Sequence, residues 1–301
     1  MVKTLCTLPT LSEFGDRTWG GVLRCVEAIC KYAPFYGWTI TDNPNTADVV
    51  HTLGMKEHPR SKIYTCLGFW ENPSEKYAEA QEKIERLAKQ ATIFTVLSRW
   101  SKEFFDSKVG TNAIVINNGA DYERMQNTEN RMFVPAGYFL WAKAGLYYPN
   151  CNYGPRPVIS LASFDMYNER FLLTVAPKDL MLNSNITVTG TLQYNTMLQA
   201  IAGCKVYIST VKETFGAQTI EAMAMGKPVL AYDFGGNSEI LTHKFNGYLV
   251  PPGESLLEGA EYILKYYDTM SNAARFTAMK YDWKSAIIPK YAQCWEGVLN
   301  G

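Results

Sequence analysis

The stretch ISTVKETFGAQTIEAMAMGKPVLAYDFGGNSEIL, residues 208–241, carries the decisive pattern. An apolar run ends near Ser209, and a polar loop with Lys212, Glu213 and Gly216 follows. A helical segment comes next. It stops at the glycine of Gly226, and Pro228 stands just beyond to prevent its continuation. A second apolar run, residues 228–232, leads to the turn pair Gly235-Gly236. Strand, loop, helix and strand in this order make a βαβ unit, which calls for a parallel sheet.

Outward from this unit the same alternation continues in both directions. In the second half, apolar β-rich runs at 138–142, 170–175, 185–189, 205–209, 228–232 and 247–250 read as strands. Helices are expected at 194–203, 216–225, 238–242, 255–267, 272–279 and 284–299. In the first half, strands are expected at 2–8, 38–40, 48–53, 62–66, 92–97 and 112–116. Helices fall between them at 21–32, where Val22, Val26, Ile29 and Ala33 recur every three or four residues, and at 74–90 and 98–106. The polar stretch 117–135 contains Asn-Asn-Gly, lacks periodicity and reads as an inter-domain linker. Residues 150–157, NCNYGPRP, read as a loop. The length of 301 residues suits two domains. The expectation is two doubly wound α/β domains in tandem, divided after residue 130. Ligands of open parallel sheets bind outside the carboxyl ends of the strands, and two such sheets facing each other form a cleft.

Composition removes several classes. Lys+Arg is 29 and Asp+Glu is 29, so the formal charge is zero. Residues 1–130 carry 15 basic and 16 acidic side chains, so neither half presents a global field for nucleic acid or an anionic membrane. No apolar run reaches the ~18 residues of a membrane span, and the N-terminus does not resemble a signal peptide. Seven cysteines, an odd number without a CxxC pair, read as reduced thiols of a cytoplasmic protein. Three histidines without HExxH argue against a His-rich metal centre. GxSxG, Walker A and GxGxxG motifs are all absent from the sequence.

The chemistry concentrates where the 216–225 helix begins. The N–H groups of Ala217, Gln218 and Thr219 are expected to lack intrahelical acceptors. With the helix dipole they make an anion site suited to a diphosphate. Gly216 lets a ligand approach the backbone. Glu221, one turn inside, can accept two hydrogen bonds from a vicinal diol such as a ribose. Glu213, on the loop, can accept from hydroxyls of a second sugar. The competing reading makes Glu221 a solvated helix residue and Glu213 a first-turn charge.

The order of these pieces resembles the retaining glycosyltransferases of the GT-B fold, family 4 in particular. The family pattern E-G-F-G-L-x-x-x-E stands here as Glu213-Thr214-Phe215-Gly216-Ala217-Gln218-Thr219-Ile220-Glu221, with Thr214 in place of a glycine. A-M-A-x-G-x-P-V stands at Ala222 to Val229, G-G-x-x-E at Gly235 to Glu239, and NGxLVPPG at Asn246 to Gly253. The resemblance implies two Rossmann-like domains facing across a cleft. The first, 1–130, would take the acceptor, with 284–301 packing back on it after Tyr281-Asp282-Trp283. The second, 131–283, would take a nucleotide-sugar. It implies donor-sugar contacts from Glu213, and from Phe215 and Gly216 through backbone N–H. Thr219 and Ile220 would face the diphosphate and Glu221 the ribose. Thr189, Gly190 and Leu192, in NITVTGTLQY, resemble the turn that receives the base, although a plain sheet strand also explains that segment.

Leaving-group charge on the diphosphate calls for cations. The family places an Arg and then a Lys after the first strand of the second domain. Lys143 resembles the first of these, with a solvated strand end as the alternative. The second has no match at the usual spacing, and Arg156 and Lys178 are the nearest basic residues. No Asp-x-Asp occurs, so no metal cofactor is expected. In the first half, Gly20-Gly21 resembles a family loop that touches the donor phosphate, and a plain turn is the alternative. Asp48 to Gly54 resembles the family's D-x-V-H segment, with His51 read as a satisfied core histidine. Ser98-Arg99-Trp100-Ser101 and Asn117 to Asp121 resemble the S-x-x-S and P-N-G-x-D near the domain junction.

The resemblance implies retaining, metal-independent sugar transfer from a nucleotide-sugar donor, UDP-linked by preference, to an acceptor hydroxyl. A soluble glycan or small molecule is the favoured acceptor. The compact chain also resembles virus-encoded members, which would place it in the host cytoplasm and open a hydroxymethylated DNA base as acceptor. A non-catalytic nucleotide-sugar binder and a GT-B sugar-nucleotide epimerase are the alternatives.

Overall fold

The computed structural model describes residues 2–15, 20–142, 156–166, 168–174 and 183–301. The chain divides into two compact units, one of Met1–Gly119 with Tyr281–Gly301 and one of Ala120–Lys280. The sequence reading drew its line after residue 130, eleven residues later than the division seen here.

Unit 1 is a six-stranded parallel sheet in the order β2-β1-β3-β4-β5-β6. Its strands are β1 (Lys3–Leu8), β2 (Trp38–Ile40), β3 (Val49–Leu53), β4 (Ser61–Cys66), β5 (Ile93–Val96) and β6 (Ile114–Val115). Every residue of β3 is buried, as a strand covered on both faces requires. The order reverses between β1 and β3, and the helix α1 (Gly21–Tyr32) starts beyond the end of β1. α1 turns Leu23, Val26 and Ile29 inward. On the other face lie the charged helix α2 (Glu75–Gln90), through Gln81, Ile84 and Ala88, and α3 (Arg99–Phe104).

The final helix, α11 (Ile288–Asn300), belongs to this core. Trp295 is fully buried and meets Trp38 edge to face, with ring centroids 5.7 Å apart. Its Nε1–H donates to His51 Nδ1 at 3.3 Å. An indole can only donate, so the neutral imidazole carries its proton on Nε2 and gives it to Thr65 Oγ1, 2.7 Å away. Thr65 in turn meets Thr95 Oγ1 at 2.6 Å. Burial holds the His51 pKa down at about 3. His51 is therefore a satisfied core residue.

The two junction motifs of the first half are structural. Ser98 Oγ caps α3 by accepting from the Ser101 N–H at 3.1 Å. Gly119 lies where a Cβ would come within 2.6 Å of the Tyr281 carbonyl oxygen, so only glycine fits. Asp121 caps the short helix α4 (Tyr122–Gln126) through the Arg124 N–H at 3.2 Å. That helix corrects the expectation of an irregular linker over 117–135. Five residues are too few to display a period, but the cap and the contacts of α4 inside unit 2 make it helical.

Unit 2 is also six-stranded and parallel, in the order β12-β11-β10-β7-β8-β9. Its strands are β7 (Tyr138–Trp141), β8 (Phe171–Leu173), β9 (Ile186–Val188), β10 (Cys204–Ser209), β11 (Val229–Tyr232) and β12 (Gly247–Val250). Counted within the unit, this is the 3-2-1-4-5-6 order of a dinucleotide-binding sheet read from its far edge. The helices are α5 (Arg156–Ser160), α6 (Tyr194–Gly203), α7 (Ala217–Ala224), α8 (Asn237–Ile240), α9 (Leu257–Lys265) and α10 (Tyr267–Ala278). Residues 156–157 of the loop expected at 150–157 open α5, which a wider turn at Leu161–Asp165 continues, and residues 150–155 lie outside the described residues. Each expected strand has a counterpart within two residues.

Candidate functional site at the switch point of unit 2

Strand order in unit 2 reverses between β7 and β10, which pair in parallel with Ile208 opposite Trp141. The connections from these two strands leave in opposite directions, so a crevice opens at their carboxyl ends. A small pocket sits there, lined by Trp141, Ser209, Thr210, Glu213, Gly216 and Thr219 among others. Trp141 is almost fully buried, and its Nε1–H donates to Thr210 Oγ1 at 2.9 Å. This bond ties the two strand ends beneath the pocket.

The Glu213 loop is held from behind by the glycine pair. The Gly236 N–H donates to the Glu213 carbonyl at 2.9 Å. A Cβ on Gly236 would lie 2.3 Å from the Phe215 Cα and carbonyl oxygen, and one on Gly235 would lie 2.7 Å from the Glu213 carbonyl oxygen. The Gly-Gly turn is therefore the flat surface on which the Glu213–Phe215 backbone rests. Asn237, fully buried at the start of α8, completes the support. Its Oδ1 accepts from Thr219 Oγ1 at 3.2 Å, and its Nδ2 donates to Ser209 Oγ at 3.1 Å. One amide thus joins the end of β10, the first turn of α7 and the glycine turn.

Gly216 caps α7 in the left-handed region, with φ 91°. The turn that follows is tighter than the sequence suggests. The Thr219 N–H donates to the Gly216 carbonyl at 3.0 Å, and the Ile220 N–H shares that acceptor at 3.3 Å. The expectation that the Thr219 N–H lacks a partner is therefore corrected, because a three-residue turn consumes it. Ala217 and Gln218 remain as the N–H groups ahead of the helix's own bonds. Phe215, Thr219 and Ile220 are buried as whole residues, and the N–H groups of Thr219 and Ile220 are both taken by the Gly216 carbonyl, so the expectation that these two face a diphosphate is corrected.

Glu221 is 5% exposed and sits in the second turn of α7. Its Oε1 accepts from the Tyr194 hydroxyl at 2.5 Å. A contact of this length lies at the short end of O–H···O hydrogen bonds. Tyr194 opens α6, directly after the turn that carries Thr189, Gly190 and Leu192. Thr189 Oγ1 donates to the Gly190 carbonyl at 3.1 Å, and Gly190 adopts φ 74°. The segment at the end of β9 is thus linked to α7 through Tyr194.

Glu213, Phe215, Gly216, Thr219, Ile220 and Glu221 therefore share one loop–helix corner. Gly20 and Gly21 lie in unit 1, where Gly20 caps α1 with φ 124°. Lys143 and Lys178 lie outside the described residues. Arg156 begins α5, and only its backbone is described. The described cysteines are free, and burial raises the thiols of Cys25, Cys66 and Cys204 to about 12. None is poised as a thiolate nucleophile. Among the described residues, no group of three His, Cys, Asp or Glu is placed to hold a metal ion. Among them, too, no helix is long and apolar enough to cross a membrane.

Sequence reasoning missed Asn237, Tyr194 and Arg124. Asn237 was in view as part of Gly235 to Glu239, and its place beside two glycines was the available signal. Tyr194 and Arg124 carried none, since their partners come from other helices.

Residues 169–279, inside unit 2, match the model of the glycosyl transferases group 1. An uncharacterized glycosyltransferase of Methanocaldococcus jannaschii is 36% identical over 84 residues, which is 26% of this chain and 22% of that protein. The chain spans about a fifth of the length of the first curated relatives it matches. Among solved structures, sucrose-phosphate synthase from Thermosynechococcus elongatus aligns over 99% of both chains with a TM-score of 0.77 and 13% identity. Anabaena Alr3699/HepE, in complex with UDP and glucose, aligns over 99% of both chains with a TM-score of 0.68 and 16% identity. At these identities the structural likeness speaks for the fold. The chain accordingly has the GT-B glycosyltransferase fold, and its second unit carries the glycosyl transferases group 1 region.

Proposed function

We propose that the chain is a retaining glycosyltransferase that moves a sugar from a nucleotide-sugar, UDP-linked, to an acceptor hydroxyl. The observation that carries this reading is the corner at the β7/β10 switch point. There Glu213 and the N–H groups opening α7 are fixed by the Gly235–Gly236 turn and Asn237, with Glu221 one turn further in. A pyrophosphate fits the main-chain N–H groups of Phe215 to Gln218 and the positive end of the helix. Glu213 suits the donor sugar and Glu221 the ribose. Thr189, Gly190 and Leu192, next to Tyr194, suit the base. The UDP in the Anabaena structure supports the choice of nucleotide.

In the proposed reaction the bond between the sugar's anomeric carbon and the phosphate oxygen breaks. The acceptor oxygen enters on the same face, and its proton passes to the departing diphosphate. No enzyme nucleophile takes part. Charge on the leaving group would be met by α7 and by Lys143 with Arg156 or Lys178, without a metal cofactor. Gly20 and Gly21 offer main-chain N–H groups to an anion at the switch point of unit 1. The acceptor is a soluble glycan or small molecule in the cytoplasm.

The test is a panel of nucleotide sugars read by thermal shift and by nucleotide release, with and without EDTA. Release of UDP is expected, unaffected by EDTA, and Glu213→Ala and Glu221→Ala should each lower it by at least about tenfold. Binding without release would identify a non-catalytic binder. Conversion of the sugar without transfer would identify an epimerase, and transfer to hydroxymethylated DNA would replace the acceptor named above.

A further inference from the structure

Three helices of unit 2 converge on Glu221. α7 carries it, α6 opens with Tyr194, and α4 brings Arg124. The Tyr194 hydroxyl donates to Glu221 Oε1 at 2.5 Å. The Arg124 guanidinium lies over the Tyr194 ring, 5.2 Å from its centre, and its Nη2 donates to Asn195 Oδ1 at 2.6 Å. One arginine thus grips two successive residues of α6. α4 is anchored to α7 as well, because Gln126 Nε2 donates to the Ala224 carbonyl. The position of the Tyr194 hydroxyl is therefore set from both sides.

We propose that Tyr194 is a positioning residue that orients the Glu221 carboxylate to read the ribose 2′-hydroxyl, with Arg124 steadying the tyrosine. The inference rests on the reading of Glu221 as the ribose acceptor. A carboxylate reads a vicinal diol through both oxygens in one plane, and rotation about its last side-chain bond destroys that match. A hydroxyl bound to Oε1 fixes the plane. Because the bond is short, it resists the rotation. Base contacts fall on the turn just before Tyr194, so the same residue couples the place of the base to that of the ribose acceptor.

The experiment measures binding of UDP, GDP and ADP by calorimetry, then compares the tightest of them with its 2′-deoxy form. Wild type should prefer the ribose form by about tenfold. Tyr194→Phe keeps the ring and should melt like wild type. Its preference should fall to about twofold through weaker binding of the ribose form, while the deoxy form binds as before. Arg124→Leu should fall between the two. Glu221→Gln should abolish the preference. A Tyr194→Phe protein that keeps the wild-type preference, or that loses affinity for both forms equally, overturns the inference and leaves the reading of Glu221 intact. Failure of all three nucleotides to bind, or a preference unchanged by Glu221→Gln, overturns that reading and the inference with it.

Discussion

Each unit opens a helix with glycine beyond the end of a strand at its own switch point, yet the two helix starts are built differently. At α1, Gly20 and Gly21 are exposed, and a Cβ on either would meet nothing within 4 Å. At α7, Gly216 is wedged between Thr219 and Asn237, and the loop before it rests on Gly235 and Gly236. The same local device is therefore free-standing in unit 1 and braced in unit 2. Bracing is what fixes Glu213 and Glu221 as a pair. Without it, a glycine-opened helix offers backbone N–H groups and nothing more.

The largest expected effect breaks the brace. Gly236 has an ordinary φ of −63°, so Gly236→Ala is purely a steric test. Its Cβ would meet Phe215 backbone, which cannot swing away as a side chain can. The cost should be about 3 kcal/mol or more in chemical unfolding of unit 2, with the transition of unit 1 unmoved. A wild-type-like transition would show the glycine turn to be no support at all.

The next effect belongs to unit 1, whose rigidity comes from its core and not from bracing at α1. His51 is neutral in the folded state, with its pKa held near 3, while an unfolded imidazole takes a proton below about 6.5. The unfolded state therefore binds more protons between these values. Stability contributed by the buried neutral ring is complete above pH 6.5 and declines as the pH falls toward 3, by about 3 kcal/mol at pH 4. Melting of unit 1 followed from pH 7 to pH 4 should show this slope. His51→Gln, which retains one donor and one acceptor, should flatten it. An equal slope in the variant would contradict the His51–Trp295 arrangement.

The smallest effect sharpens the contrast between the helix starts. Gly21 has open space and no positive φ, so Gly21→Ala should raise stability by about 0.5 kcal/mol by restricting the unfolded chain. Gly20→Ala should instead cost about 1 kcal/mol, because φ 124° strains any side chain. Equal values for the two variants in urea titrations would show that the backbone at Gly20 differs from the one described.

The strands were legible because buried parallel strands read as unbroken apolar runs, VVHTL in β3 and VLAY in β11 among them. The corner at α7 was legible because glycine, proline and two acids stand at fixed spacing around a helix start. What escaped was the support. Asn237 follows Gly235-Gly236 and reads as turn chemistry, while its work is done by an amide buried between three elements. Tyr194 lies 27 residues from Glu221, and only helix packing brings them together. The tightening that takes the Thr219 N–H is a matter of a fraction of a turn, which no periodicity encodes. Composition and spacing located the chemistry, and tertiary packing decided which atoms remain to perform it.

The most direct measurement is a crystal structure of the chain with UDP-glucose or, if another donor binds better, with that donor. The pyrophosphate is expected against the main-chain N–H groups of Phe215 to Gln218, the sugar on Glu213 and the ribose on Glu221. A donor bound elsewhere, with both glutamates bare of ligand, would contradict it.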